Sequence, residues 1–354
     1  MEAAIQLLPV RNNIQAVINT PERFQLTPYL NTPPLLSQNV ETSLSIKSER
    51  KKFIEANTIE VDINHLSSEC IIPVFSKDNE LTISHHHFIE TVYNAVTQFF
   101  TGETIEEPEI RVSHIIKGRV PEAIHKPVNQ LLDSDKTIYY ERMAFCIEVP
   151  SIYQYIDGNR LNLTIGGVRS INHENLYSKK AAEKFKVFVG FKNQVCCNLC
   201  ISTDGYKTEV KAMSTLDLFN AATNMFQLYN PAKHLQLMSS FQHSYLSEHQ
   251  FAQLIGKSKL YQCLPSTQRK SLPELLFTDN YINSVARSYY QDENFKVEKG
   301  ANAISLWKVY NLFTTANKSS YVDSLLDRSL NATELTEGIS KALQGDSAYR
   351  WFIE

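Results

Sequence analysis

One stretch has the residue types and spacing of a nucleic-acid-binding strand. Phe185, Val187, Val189 and Phe191 alternate with Lys184, Lys186, Phe188, Gly190 and Lys192. Successive side chains of an extended chain point to opposite faces, so one face is apolar and the other sets lysines around one aromatic ring. That second face suits a single strand of nucleic acid, with phosphates on the ammonium groups and a base stacked on the ring. Lys179 and Lys180 stand just upstream. A second basic row, Arg111, Lys117 and Arg119, shares one parity of the strand-like residues 111–119 and could also meet phosphates. Arg169 completes the nucleic-acid-binding candidates. The competing explanation is that a helix covers Phe188 and the lysines are merely solvated. What lies over Phe188 decides between them.

Residues 195–201 hold Cys196, Cys197 and Cys200, with the Cys-x-x-Cys spacing of zinc sites and redox pairs. As a strand, this run puts Cys197 on a buried face with Val195, Leu199 and Ile201. Cys196 and Cys200 then share the other face, about 13 Å apart at the strand rise. Neither pair shares an ion or a disulfide unless the chain bends, and no second cysteine pair completes four ligands. Buried, inert thiols are expected. His85, His86 and His87 open a helix with Glu90 behind them. Adjacent imidazoles diverge and the HExxH spacing is absent, so neutral surface histidines are expected. A metal-dependent enzyme would have to draw on that cluster or on His114, His125, His173 and Glu141, which nothing in the sequence gathers. No catalytic residue, metal or cofactor is assigned.

The elements that must position these residues follow from periodicity and punctuation. Residues 1–55 read as an extended leader arm broken by Pro21, Pro28, Pro33 and Pro34, suited to strapping onto a second subunit in a homo-oligomer. Residues 56–213 read as an α+β sheet domain. Short strands are expected at 60–63, 70–75 and 81–83, and Ser84 caps a helix that buries Phe88, Val92, Ala95 and Phe99. A helical stretch follows Pro121 and reaches Leu132. A strand at 139–149 is ended by Pro150, and Asp157-Gly158-Asn159 is a hairpin turn. The strand at 161–165 is closed by Gly166-Gly167, and Asp204-Gly205 turns into a last strand at 206–210. From Ser214 the period becomes helical, and residues 214–354 are expected to pack on the sheet. Ser247 and Gln250 form a capping box, and Gly256 closes that helix. Another helix carries Leu306, Val309, Phe313 and Ala316, with Trp307, Tyr310, Asn311, Thr314 and Lys318 as a stripe of packing and surface. The last runs through Tyr321, Leu325 and Leu326. The expected fold is α+β, a central, mostly antiparallel meander sheet followed by a helical C-terminal half.

The formal net charge of -3 gives no bulk attraction to nucleic acid or membrane. Residues 109–211, however, hold 15 Lys/Arg against 11 Asp/Glu, a local balance of +4 that leaves -7 for the rest. No apolar run approaches the roughly 18 residues of a membrane span. The start of the chain lacks a signal peptide's pattern, and six cysteines without one predict reduced thiols in a cytoplasm.

Several segments together resemble an uncharacterised family of bacterial mobile elements, domain of unknown function 3871. They are residues 70–80, 111–121, 139–143, 165–169, 187–198 and 305–332, and the likeness extends over about 60–352 with the leader outside it. Residues 307–323 are also distantly similar to the phage/plasmid-like protein family. The resemblance carries no established catalytic residues. It implies a bacterial cytosol and work on, or defence of, a mobile element. The expected function is a non-enzymatic nucleic-acid-binding protein, an oligomeric single-strand DNA binder or annealer. The alternatives are a host-factor interaction or inhibitor protein, acting through the helical half, and a metal-dependent enzyme.

Overall fold

A computed structural model of the chain describes residues 51–70, 82–123, 125–171 and 182–354. The leader up to residue 50, the strand residues expected at 71–75 and 81, and Lys179, Lys180 and His173 lie outside the described residues. Six strands form an antiparallel meander in chain order: β1 (Ile59–Val61), β2 (Glu109–Arg119), β3 (Lys136–Ile156), β4 (Asn159–Ser170), β5 (Glu183–Asn193) and β6 (Leu199–Ala212). Helices α1 (Ile63–Ser68) and α2 (His85–Phe99) lie between β1 and β2. Ser84 caps α2, and Phe88, Val92, Ala95 and Phe99 are buried.

The β3–β4 hairpin turns at Asp157 and Gly158, with φ of 50° and 73°. Two successive positive φ values match the strand twist. The strand before it does not stop at Pro150. It continues to Ile156, and its register with β4 shifts between Val149 and Tyr153, so the proline's missing N–H falls at an irregularity. Gly166 and Gly167 lie inside β4 rather than closing it. A Cβ at Gly166 would come within 2.8 Å of the Phe188 ring, and one at Gly167 within 2.5 Å of Phe88. Two aromatic rings therefore lie against bare backbone. Asp204-Gly205 is likewise inside β6, not a turn; Gly205 admits the Tyr229 ring, which a Cβ would meet at 3.0 Å. Residues 121–135 form 3-10 turns at Pro121–Ala123, Val128–Gln130 and Asp133–Asp135 instead of a helix. Pro127 removes a donor that a helix through this stretch would need.

The C-terminal half contains α3 (Thr215–Leu228), α4 (Pro231–Ser240), α5 (Glu248–Cys263), α6 (Ser266–Arg269), α7 (Asp279–Gln291), α8 (Leu306–Asn317) and α9 (Leu325–Leu343). Strands β7 (Tyr245–Ser247) and β8 (Ala303–Ser305) pair between them. The Ser247–Gln250 capping box forms. Helix α5 runs past Gly256 to Cys263, because the burial of Phe251, Leu254 and Tyr261 spans both sides of the glycine. Apart from its chain neighbours and the helix's own backbone, no described atom lies within 4 Å of a Cβ added there. Gly256→Ala should therefore stabilise the protein by about 0.5–1 kcal/mol, read as a rise in the urea midpoint at unchanged slope.

One face of the sheet packs against α2 and α3, and this inner cluster continues into α5, α7 and α8. The other face carries a separate cluster made with α9, the 3-10 turn Val322–Ser324 and residues 53–54. Helix α8 is buried nearly all round: Trp307, Tyr310, Asn311 and Thr314 all face protein, so its mixed stripe is packing throughout.

Candidate nucleic-acid interface

Phe188 does not present its ring to solvent. It is 1% exposed, beneath Val322, Leu325 and Leu326 and beside Phe53 and Ile54. This corrects the expected stacking role: the ring is core. The covering strap is fixed by backbone. The N–H groups of Glu55 and Ala56 donate to the Lys318 carbonyl at 2.7 and 3.1 Å. The Lys318 ammonium lies 2.7 Å from the Glu55 carboxylate and also donates to the Cys196 carbonyl.

Lys192 is buried as well. Its ammonium lies 3.3 Å from Glu109 and bridges to the Glu148 carboxylate. Asn162 and Gln194 donate to the same Glu148 oxygen at 3.0 and 2.7 Å. Burial works to raise the Glu148 carboxyl's pKa, but Lys192 and these donors outweigh it and hold it below the usual carboxylate range. Burial works to lower the Lys192 ammonium, yet Cys146 and the two carboxylates raise it above 10.5.

Two of the arginines are also structural. Buried Arg111 ties β1 to β2 through the Thr58 carbonyl at 2.9 Å and Glu60 at 3.5 Å. Arg169 is ion-paired to Glu183, donates to the Ile83 carbonyl and lies 4.7 Å over the Phe185 ring. Lys117 is exposed, and Arg119 donates to the Lys126 carbonyl at 2.5 Å. The basic row of β2 is therefore split between core and surface.

What stays open is the start of β5. Lys184 and Lys186, with Val168, Ser170, Glu209 and Asp327, line a cavity of about 340 Å³. Lys184 pairs with Glu209 at 2.7 Å in solvent, and Lys211 approaches the same carboxylate at 3.8 Å. Lys186 meets Asp327 and the Asp323 carbonyl, each at 2.6 Å. Across the β3–β4 ladder Arg142 stands opposite Ser170. Among the described residues, the Arg142 Nε and Ser170 Oγ are buried without a hydrogen-bond partner. The Arg142 guanidinium lies 5.7 Å over the ring of Tyr321, which is 62% exposed. Sequence reasoning missed Arg142 and Ser170 and ran the last helix through Tyr321 with Leu325 and Leu326. Tyr321 instead precedes the 3-10 turn that lies on β3 and β4, one residue before the apolar spacing begins.

The cysteine run bends where a continuous strand was expected. Residues 194–196 form a turn, β6 begins at Leu199, and Cys197 takes φ 60°. Cys196 and Cys200 enter the inner cluster, and burial pushes the Cys200 thiol up to about 12. No group of three or more His, Cys, Asp or Glu among the described residues is placed to hold a metal ion.

Of the three adjacent histidines, His85 is buried rather than on the surface, donating from Nε2 to the Tyr140 carbonyl at 2.7 Å. Burial, with Arg169 nearby, lowers its pKa to about 3, and burial lowers His234 to about 4. Both are neutral when folded, while unfolded imidazoles protonate near 6.5. Stability should therefore fall as pH drops below 6.5, with a slope approaching about 2.7 kcal/mol per pH unit from two protons. Urea unfolding at pH 7 and pH 5 measures this, and an unchanged midpoint would refute it.

The geometry defines an α+β meander protein with a mixed-charge cavity at one end of its outer face. The family model described as "Domain of unknown function, B. Theta Gene description (DUF3871)" matches residues 36–353, and the chain belongs to this family. The match begins within the leader, earlier than the position near 60 expected from the resembling segments. No curated protein matches the chain, and no solved structure matches it. No helix among the described residues is long and apolar enough to cross a membrane.

Proposed function

We propose that this chain is a non-enzymatic nucleic-acid-binding protein of a bacterial mobile element. It grips the phosphate backbone of a single DNA strand at the start of β5. The observation that carries this is the open cavity holding Lys184 and Lys186 side by side on one strand face. Arg142 and Lys211 add charge beside it, so four cations stand against Glu209, Asp323 and Asp327. The Lys184–Glu209 pair is solvent-exposed, and such pairs contribute only about 0–1 kcal/mol. A phosphate can displace that carboxylate at little cost. The residues that hold the cavity open belong to β4, β5, β6 and α9, so the site is pre-formed.

Fluorescence anisotropy with a labelled single strand tests this. Two or three phosphate contacts predict a log–log salt slope of about -2 between about 50 and 200 mM salt. Lys184→Glu with Lys186→Glu should weaken binding at least about tenfold. Lys184→Glu with Lys211→Glu should do the same while leaving the Lys186–Asp327 contact in place. Binding without salt dependence, or none at low salt, would refute the proposal.

A further inference from the structure

We infer that Tyr321 is a base-stacking platform, backed by Arg142, that makes the Lys184–Lys186 site select single strands. This rests on the nucleic-acid reading above and deepens it. Among the described residues Tyr321 is one of the more exposed large apolar side chains, at 62%. An exposed tyrosine alone means little, but this one is held in place. It precedes the turn Val322–Ser324, whose Val322 is anchored in the outer cluster. The Ser324 N–H donates to the Tyr321 carbonyl at 3.1 Å. The guanidinium of Arg142 lies 5.7 Å over the ring, which leaves the opposite ring face to solvent. Among the described residues the phenol has no hydrogen-bond partner, so the outer end of the ring is not committed to the fold.

The location couples this ring to the cavity. Arg142 stands opposite Ser170 across the ladder, and Ser170 lines the cavity with Lys184 and Lys186. The cavity and the ring are therefore bridged by two adjacent strand positions. A phosphate seated at the lysines would place a neighbouring base within reach of the ring. Duplex bases are already stacked and cannot use such a platform, whereas an unpaired base can. The Arg142 guanidinium, whose buried Nε has no partner among the described residues, supplies positive charge behind the ring and strengthens its hold on an electron-rich base.

Anisotropy titrations with a single-stranded DNA, the same strand made abasic, the RNA of the same sequence and the duplex would test the inference. Tyr321→Ala should lose about tenfold or more on the normal single strands and gain little or no further loss on the abasic strand. Tyr321→Phe should stay within about twofold of the wild type, because the ring and not the hydroxyl acts. If Tyr321→Ala binds the normal strand as well as wild type, the stacking inference fails while the phosphate site stands. If it loses equally on normal and abasic strands, the residue holds the backbone and the inference fails. If the wild-type protein binds none of the probes, the nucleic-acid reading itself fails, and the inference with it.

Discussion

Lys192→Ala should destabilise the protein by about 3–5 kcal/mol. The substitution strands two carboxylates, Glu109 and Glu148, in a buried site with one cation removed. Asn162 and Gln194 cannot neutralise them, and only protonation can. The pH dependence follows with a definite sign. Glu148 has its folded pKa depressed, so its contribution is present above its unfolded value of 4.5 and lost as pH falls through the folded one. Lys192 is raised, so its contribution is present below 10.5 and lost as pH rises through the folded value. The wild-type cluster therefore stabilises the fold across pH 4.5 to 10.5. In Lys192→Ala the two carboxylates lose the cation that kept them ionised and take up protons more readily, so the deficit relative to the wild type should shrink as pH falls, on top of the histidine-linked loss that both proteins share. Urea unfolding at pH 7 and pH 5.5 checks both parts. Were Lys192 a solvated nucleic-acid contact, the substitution would cost less than about 0.5 kcal/mol.

Phe188→Ala should cost about 3–5 kcal/mol in unfolding free energy. The ring fills the space between Gly166 on one strand and Leu325 and Leu326 on α9, and a methyl group cannot fill it. Phe188→Leu should cost markedly less, because it keeps most of the volume. Neither change touches the cavity at Lys184, so single-strand affinity measured on the folded fraction should stay within about twofold for Phe188→Leu. A stability loss small beside a large affinity loss would restore Phe188 to the binding surface.

The sheet was legible in the sequence where the alternation was strict. Phe185, Val187, Val189 and Phe191 line the inner face as the period predicts, and the Asp157-Gly158 turn is where the residue types place it. The failures share a cause. Glycines inside β4 and β6 looked like turn residues, but they serve the close approach of Phe188, Phe88 and Tyr229, and those partners are distant in sequence. Pro150 looked like a stop, but a long strand absorbs it at a register shift. The polar face of β5 was correctly separated from its apolar face, yet its division into buried and open halves was invisible. That division depends on α9 and on residues 53–56, which no local pattern links to β5. Lys192 and Arg169 became core residues because carboxylates partner them from other strands: Glu148 reaches Lys192 across β4, and Glu183 lies on the strand next to Arg169. Tyr321 was hidden by its position next to a helical apolar period that starts one residue later.

The most direct test of a binding site confined to the start of β5 compares two variants side by side with the wild type, by anisotropy with labelled single-stranded DNA at about 50 mM salt. Lys184→Glu with Lys186→Glu should lose at least about tenfold in affinity, and Phe188→Leu should bind as the wild type does. Equal affinity for all three proteins, or a loss confined to Phe188→Leu, would contradict it.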